Sequence, residues 1–166
     1  MKKVDELGRI VIPKDIRKNL KINNGDVLKI YVDGNKIQLA KYSDVSSNLE
    51  EIKRIFNAYV DVFSQTILFT DRESVLVSNL DIAGATIDEK IQILINNREY
   101  VFSQEERSYT FNGTSYTGYF YIYPVISSIA GIGAIILYSK ERMDELYQSI
   151  IKFISVYISK TIDITC

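Results

Sequence analysis

The sequence predicts an α+β chain in two parts: a small, basic, β-rich module over residues 1–43, then a larger antiparallel-sheet domain flanked by helices over 44–166. Three observations carry this. Charge divides unevenly, since residues 1–42 hold ten Lys/Arg against five Asp/Glu while 43–166 hold ten against sixteen. The halves therefore carry +5 and −6, and the whole-chain value of −1 conceals a basic module, a nucleic-acid signal. Short β-branched runs punctuated by Asn-Gly and Asp-Gly fill the first part. In the second, strand-like runs alternate with helical patterns whose apolar residues recur every three or four positions.

In the basic module, Leu7–Ile12 reads as a strand through Ile10, Val11 and Ile12. Pro13 suits the first position of a helix, where no amide donor is needed, and a short helix follows over 14–20. Ile16 and Leu20 share one face of it, with Lys14, Arg17, Lys18 and Lys21 elsewhere. After the turn at Asn24-Gly25-Asp26, Val27–Val32 and Lys36–Lys41 form a hairpin around Asp33-Gly34-Asn35. So short a module buries little core by itself, and neither disulfide nor metal is available to it, which implies a dimer.

The second part opens with a capping box, Ser47-Asn48-Leu49-Glu50. Leu49, Ile52, Phe56, Tyr59 and Phe63 then form a helical stripe, broadened by Ile55, Val60 and Val62. That surface suits packing on the domain's own sheet and meeting a second copy about equally. Thr66–Thr70 and Ser74–Ser78 are strands around Asp71-Arg72-Glu73. Thr86-Ile87-Asp88-Glu89 is a second capping box, opening a helix with Ile87, Ile91, Leu94 and Ile95 inward. Tyr100–Ser103 is a further strand, and Asn112-Gly113 turns a hairpin between Tyr109–Phe111 and Thr114–Tyr123. Pro124 disfavours a central ladder position at that strand's end. Ala130-Gly131-Ile132-Gly133 reads as a tight connection into the strand Ala134–Tyr138. Ser139 caps a last helix, in which Met143, Leu146, Tyr147, Ile150, Ile151, Ile154, Tyr157 and Ile158 keep helical spacing.

Composition narrows the function. The chain has no histidine and one cysteine, Cys166. The commonest general base, the commonest zinc ligand and any cysteine cluster are absent, so neither an enzyme nor a metal or other cofactor is expected. No apolar run is long enough to cross a bilayer, and no secretory h-region opens the chain, so no membrane partner is expected and the cytoplasm is the expected compartment.

The basic residues Lys2, Lys3, Arg9, Lys14, Arg17 and Lys18 crowd the ends of the first strand and the short helix. Phosphate contacts from such residues give salt-dependent DNA affinity. The bland alternative is a solvated charged face; the acidic remainder of the chain favours the DNA reading.

The string Val4-Asp5-Glu6-Leu7-Gly8-Arg9-Ile10-Val11-Ile12-Pro13, with Ile16-Arg17-Lys18 and Gly25-Asp26-Val27-Leu28-Lys29-Ile30-Tyr31-Val32, closely resembles the AbrB-type transition-state regulators. The resemblance implies a swapped-hairpin β-barrel dimer that binds double-stranded DNA. It implies DNA contacts from Arg9, Arg17 and Lys18, with Lys2 and Lys3 on the preceding strand. Family members carry several further residues before this point, including a T-G-[IV]-V-R-type strand, where this chain has Met1-Lys2-Lys3. A shortened first strand is the expectation.

The whole architecture resembles a group of sporulation regulators in which such a module precedes a C-terminal GAF domain. Tyr123-Pro124-Val125-Ile126, the Gly131–Ala134 segment and Ile135-Ile136-Leu137-Tyr138 resemble the last GAF strands. That likeness implies tetramers built through the helices near 47–64 and 141–162. It also suggests a small-molecule effector pocket with Arg72, Tyr116, Tyr119 and Tyr121 as polar-tipped lining. The plainer account of these tyrosines is ordinary strand packing. The lone G-x-G at Gly131 and Gly133 is too weak a signal for phosphate binding. An antitoxin sharing the swapped-hairpin fold is the alternative, but its disordered acidic tail is not what residues 43–166 are patterned to be.

Overall fold

The computed structural model describes residues 4–19, 22, 24, 28–41, 48–127 and 131–164. The chain falls into two compact units, Met1–Ser43 and Asp44–Cys166.

The first unit holds helix α1 (Lys14–Asn19) and an antiparallel hairpin of β1 (Leu28–Asp33) and β2 (Lys36–Lys41). Gly34 at φ +57° lets the connection turn tightly. Register pairs Ile30 with Leu39 and Val32 with Ile37. Since side chains alternate along a strand, Leu28, Ile30, Val32, Ile37 and Leu39 share one apolar face. That face is uncovered: Val32 is 77% and Ile37 66% exposed. None of this unit's described residues is buried.

Leu7–Ile12 is not a strand within this chain. Its β-branched residues favour extended backbone, but among the described residues no strand pairs with them. The turn signal at Gly25-Asp26 and the helical position of Leu20 fall outside the described residues, as does Ser47 of the first capping box.

The second unit is a six-stranded antiparallel sheet in the order β4-β3-β8-β7-β5, with β6 pairing β7 beside β5. The strands are β3 (Thr66–Thr70), β4 (Val75–Ser78), β5 (Val101–Phe102), β6 (Arg107–Phe111), β7 (Thr114–Ile126) and β8 (Gly131–Ser139). Helices α2 (Leu49–Val60) and α4 (Glu145–Ile164) cover one face, and α3 (Glu89–Asn97) the other. Strand parity makes the two cores. Ile67, Phe69, Tyr121, Val125, Ile135 and Leu137 meet Ile52 and Phe56 of α2 and Ile151, Ile154 and Ile158 of α4. Leu68, Phe120, Ile122, Ala134, Ile136 and Tyr138 meet Ile91 and Ile95 of α3. Each such Ile or Leu contributes roughly 1.5–3 kcal/mol by leaving water. The whole is an α+β unit, an antiparallel sheet flanked by helices, as the sequence predicts.

Several local expectations are corrected. Asp88, not Thr86, caps α3: its carboxylate accepts from the Lys90 amide, while Thr86 bridges Ser74. The last helix starts at Glu145, and Asp144 accepts from the Leu146 amide. Ser139 closes only a local turn with Glu141. Leu146 and Tyr157 face outward, as do Val60 and Val62, because helical spacing wider than one stripe leaves its flanks uncovered. β7 continues through Pro124, which pairs Ala134. Its neighbour β5 reaches only Ile122, so the missing amide deprives no second strand. Gly131 and Gly133 lie inside β8 rather than in a turn.

Candidate nucleic-acid interface

The cationic residues of the first unit are displayed by three local devices. Asp5 organises the segment before α1. Its Oδ1 accepts from the amides of Leu7 (3.0 Å) and Arg9 (2.8 Å). Its own amide donates to the Arg9 carbonyl, and its carbonyl accepts from the Gly8 amide. Gly8 sits at φ +75°, the left-handed region that glycine enters without strain. The result is a closed turn from which Arg9 emerges.

Arg9 Nε donates to Asp5 Oδ2 at 2.7 Å, with side-chain exposures of 71% for Arg9 and 43% for Asp5. Hydrogen bonds from the Arg9 amide and then the Arg9 guanidinium hold the Asp5 carboxyl below its ordinary range. The ion pair closes across a turn centred on glycine, not along a helix. Sequence reasoning missed Asp5; the five-residue span from Asp5 to Arg9 with glycine just before the arginine was the available signal.

Arg17 and Lys18 occupy the last turn of α1, where the helix dipole favours positive charge. Both are exposed, as is Lys14. Thus Arg9, Arg17 and Lys18 all stand in solvent on two successive segments. Lys2 and Lys3 lie outside the described residues.

The four residues considered for an effector pocket do not gather on one face. Tyr121 is buried in the core beneath α4, and its hydroxyl donates to the Met143 carbonyl at 2.7 Å. Tyr119 packs against that same core. Tyr116 packs against the opposite core, edge-on to Phe111 and Tyr138. Arg72 Nε donates to the Gly131 carbonyl at 2.7 Å, tying the β3–β4 turn to the start of β8. The three tyrosines alternate between the two packed faces of β7, Arg72 lies in the β3–β4 turn, and the polar groups of Tyr121 and Arg72 are engaged within the fold. Among the described residues no helix is long and apolar enough to cross a membrane.

Comparison with known proteins places this geometry. Residues 1–47 match the family described as "Antidote-toxin recognition MazE, bacterial antitoxin". The chain is 31% identical over 153 residues to stage V sporulation protein T of Bacillus subtilis (strain 168), covering 86% of this chain and 84% of that one. The chain belongs to the stage V sporulation protein T family. Its first unit is also 57% identical over 42 residues to the transition state regulatory protein AbrB of the same organism, covering 25% of this chain and 44% of AbrB. The putative transition state regulator Abh of that organism is 52% identical over 42 residues, covering 25% of this chain and 46% of Abh. The AbrB-type likeness thus extends over 42 residues, whereas the likeness to stage V sporulation protein T spans both units. Among solved structures, the E. coli DhaR(N)–DhaL complex aligns at a TM-score of 0.39 and 14% identity, over 57% of this chain and 39% of that chain, a likeness too slight to argue from.

Proposed function

We propose that this chain is a DNA-binding transcriptional regulator of sporulation, gripping duplex DNA through a dimer of its N-terminal unit. One observation carries the reading beyond family membership: the unit that displays Arg9, Arg17 and Lys18 has no buried residue of its own among those described, and its hairpin presents an uncovered apolar face. An apolar face of that kind, on a unit too small for a core, is complete only against another surface. A second copy supplies it with two-fold symmetry and doubles the cationic set, Lys2 and Lys3 included, matching the two strands of a duplex. Residues 1–43 are then the DNA-binding domain, and 44–166 the oligomerisation and sensing domain.

Outward apolar residues on α4 (Leu146, Phe153, Val156 and Tyr157) support tetramer formation through that domain's helices. A small-molecule effector of the C-terminal domain would act by shifting the relation between the DNA-binding units. A ligand moves an equilibrium only by its differential affinity for two states.

The test is fluorescence anisotropy with labelled duplexes over a potassium chloride series. Tight binding at low salt, a steep negative salt slope, and weakening by Arg9→Ala and Arg17→Ala are expected. Full affinity in both variants overturns the site, and no binding at low salt overturns the function.

Toxin neutralisation is the second reading, favoured by the description of the family that matches residues 1–47. It ranks below because the second unit is a folded sheet with helices on both faces rather than an extended acidic tail.

A further inference from the structure

We propose that Asp5 is a positioning residue that sets how Arg9 meets DNA, favouring a base edge over a phosphate. The inference rests on the DNA-binding reading and deepens it.

The guanidinium carries five N–H donors in one plane, one on Nε and two on each terminal nitrogen. Asp5 Oδ2 occupies the Nε side at 2.7 Å. Neither Nη1 nor Nη2 has a hydrogen bond among the described residues, so the terminal fork stays free. Because Asp5 Oδ1 is fixed by two amides of the same turn, the carboxylate is itself held in place. Arg9 is therefore tethered at its neck, and less rotamer freedom remains to be lost on binding.

A free fork suits two targets. It matches the paired acceptors O6 and N7 of guanine in the major groove, and equally two oxygens of a phosphate. The carboxylate separates them. Phosphate attraction depends on net charge, and Asp5 at contact distance cancels most of what Arg9 offers at longer range. It also repels a phosphate approaching from its own side. A base edge is uncharged, so it reads the aim of the fork and loses little to the neighbouring carboxylate. Asp5 thus suppresses indiscriminate backbone binding while leaving Arg9 able to recognise a base.

Asp5→Asn isolates the effect. The amide oxygen still accepts from Leu7 and Arg9, so the turn is kept, whereas the amide nitrogen cannot accept from Nε. Duplexes enriched from a random-sequence library by the unaltered chain serve as the preferred probe, and shuffled duplexes of equal length as the control. In Asp5→Asn, binding to shuffled duplex should strengthen severalfold at low salt. The salt slope should steepen by about 0.9 for each copy that gains a phosphate contact. Preference for enriched over shuffled duplex should fall about tenfold. Arg9→Lys, with Asp5 intact, keeps the charge and loses the fork, so preference should fall while the slope stays.

Thermal melting of each variant accompanies the titrations. If Asp5→Asn leaves both preference and slope unchanged, or weakens both probes equally with a lower melting temperature, Asp5 merely forms the turn and the inference fails. If the unaltered chain binds no duplex, the DNA-binding reading fails first, and this inference with it.

Discussion

A side-chain carbon on Gly133 would collide with the Thr70 carbonyl oxygen in the adjacent strand. β8 runs against β3 there, with Thr70 opposite Ala134, and a missing Cβ is what lets the backbones meet. Gly131 stands in the same relation to the Ile95 carbonyl at the end of α3. Both obstacles are backbone atoms, which cannot swing aside as a side chain can. Gly133→Ala should therefore destabilise the C-terminal unit by about 3 kcal/mol, at the upper end for overpacking. Chemical denaturation followed by circular dichroism checks this; an unchanged midpoint would show that β3 and β8 separate at little cost.

Tyr59 makes the opposite case. Its ring is buried between α2 and α4, stacked on Phe63 at 4.9 Å between centroids, and Phe63 meets Tyr147 edge-on. Its hydroxyl has no hydrogen-bond partner among the described residues. Burial, and secondarily the neighbouring Tyr147, pushes its ionisation far above the ordinary value of 10.0. A buried hydroxyl without a partner costs about 1–3 kcal/mol. Tyr59→Phe keeps the ring and removes that cost, so it should raise stability by about 1 kcal/mol. A fall in melting temperature would reveal that the hydroxyl is satisfied in the protein's own assembly.

Asp88 joins α3 to β6 and gives the domain an acid limb. One oxygen accepts from the Lys90 amide at 2.9 Å; the other accepts from the Thr110 amide at 2.9 Å and its hydroxyl at 3.0 Å. Partial burial opposes ionisation, but these bonds together outweigh it and hold the carboxyl below its ordinary value of 3.8. A lowered folded-state pKa contributes stability above the unfolded value and loses it as pH falls through the folded one. Stability should thus be flat in this respect above about pH 5 and decline below about pH 4. Asp88→Asn should flatten that decline, and Asp88→Ala should cost about 1–2 kcal/mol at neutral pH through the lost cap. Denaturation midpoints across a pH series are the measurement. An acid limb of equal depth in Asp88→Asn would assign it to other carboxylates.

These particulars show where the sequence was legible. The β6–β7 hairpin was plain because Asn112 and Gly113, at φ of 49° and 79°, are the residues that tolerate a left-handed turn. Charge alone marks the basic set of Lys2, Lys3, Arg9, Lys14, Arg17 and Lys18, and the AbrB-type resemblance singles out Arg9, Arg17 and Lys18 within it. Gly131 and Gly133 were misread because a glycine pair signals a turn locally, whereas its reason here is a close approach by Ile95 and Thr70, distant in sequence. Ser139 looked like a helix cap because a local Ser turn and a cap share the same bond; the helix itself waits for Asp144. Leu7–Ile12 carries strand propensity without a pairing strand among the described residues. The Asp5–Arg9 tether is harder to read because its only sequence signal is the glycine before Arg9, where the turn at Gly8 closes, and not any helical spacing.

The apolar hairpin face supplies the last test. Val32 pairs with Ile37 there and is largely exposed in the single chain, so Val32→Lys costs the isolated unit little. Within a two-fold interface the same substitution would bury an unpaired ammonium from each copy, a penalty of at least about 3 kcal/mol. Sedimentation velocity should show the assembly losing one step of association, while the melting temperature of the C-terminal unit stays put. DNA binding should fall with it, and its salt slope should drop toward half, because each released unit meets phosphates alone. Should Val32→Lys sediment and bind as the unaltered chain does, this face stays in solvent. The N-terminal units would then have to pair through another surface, or act singly.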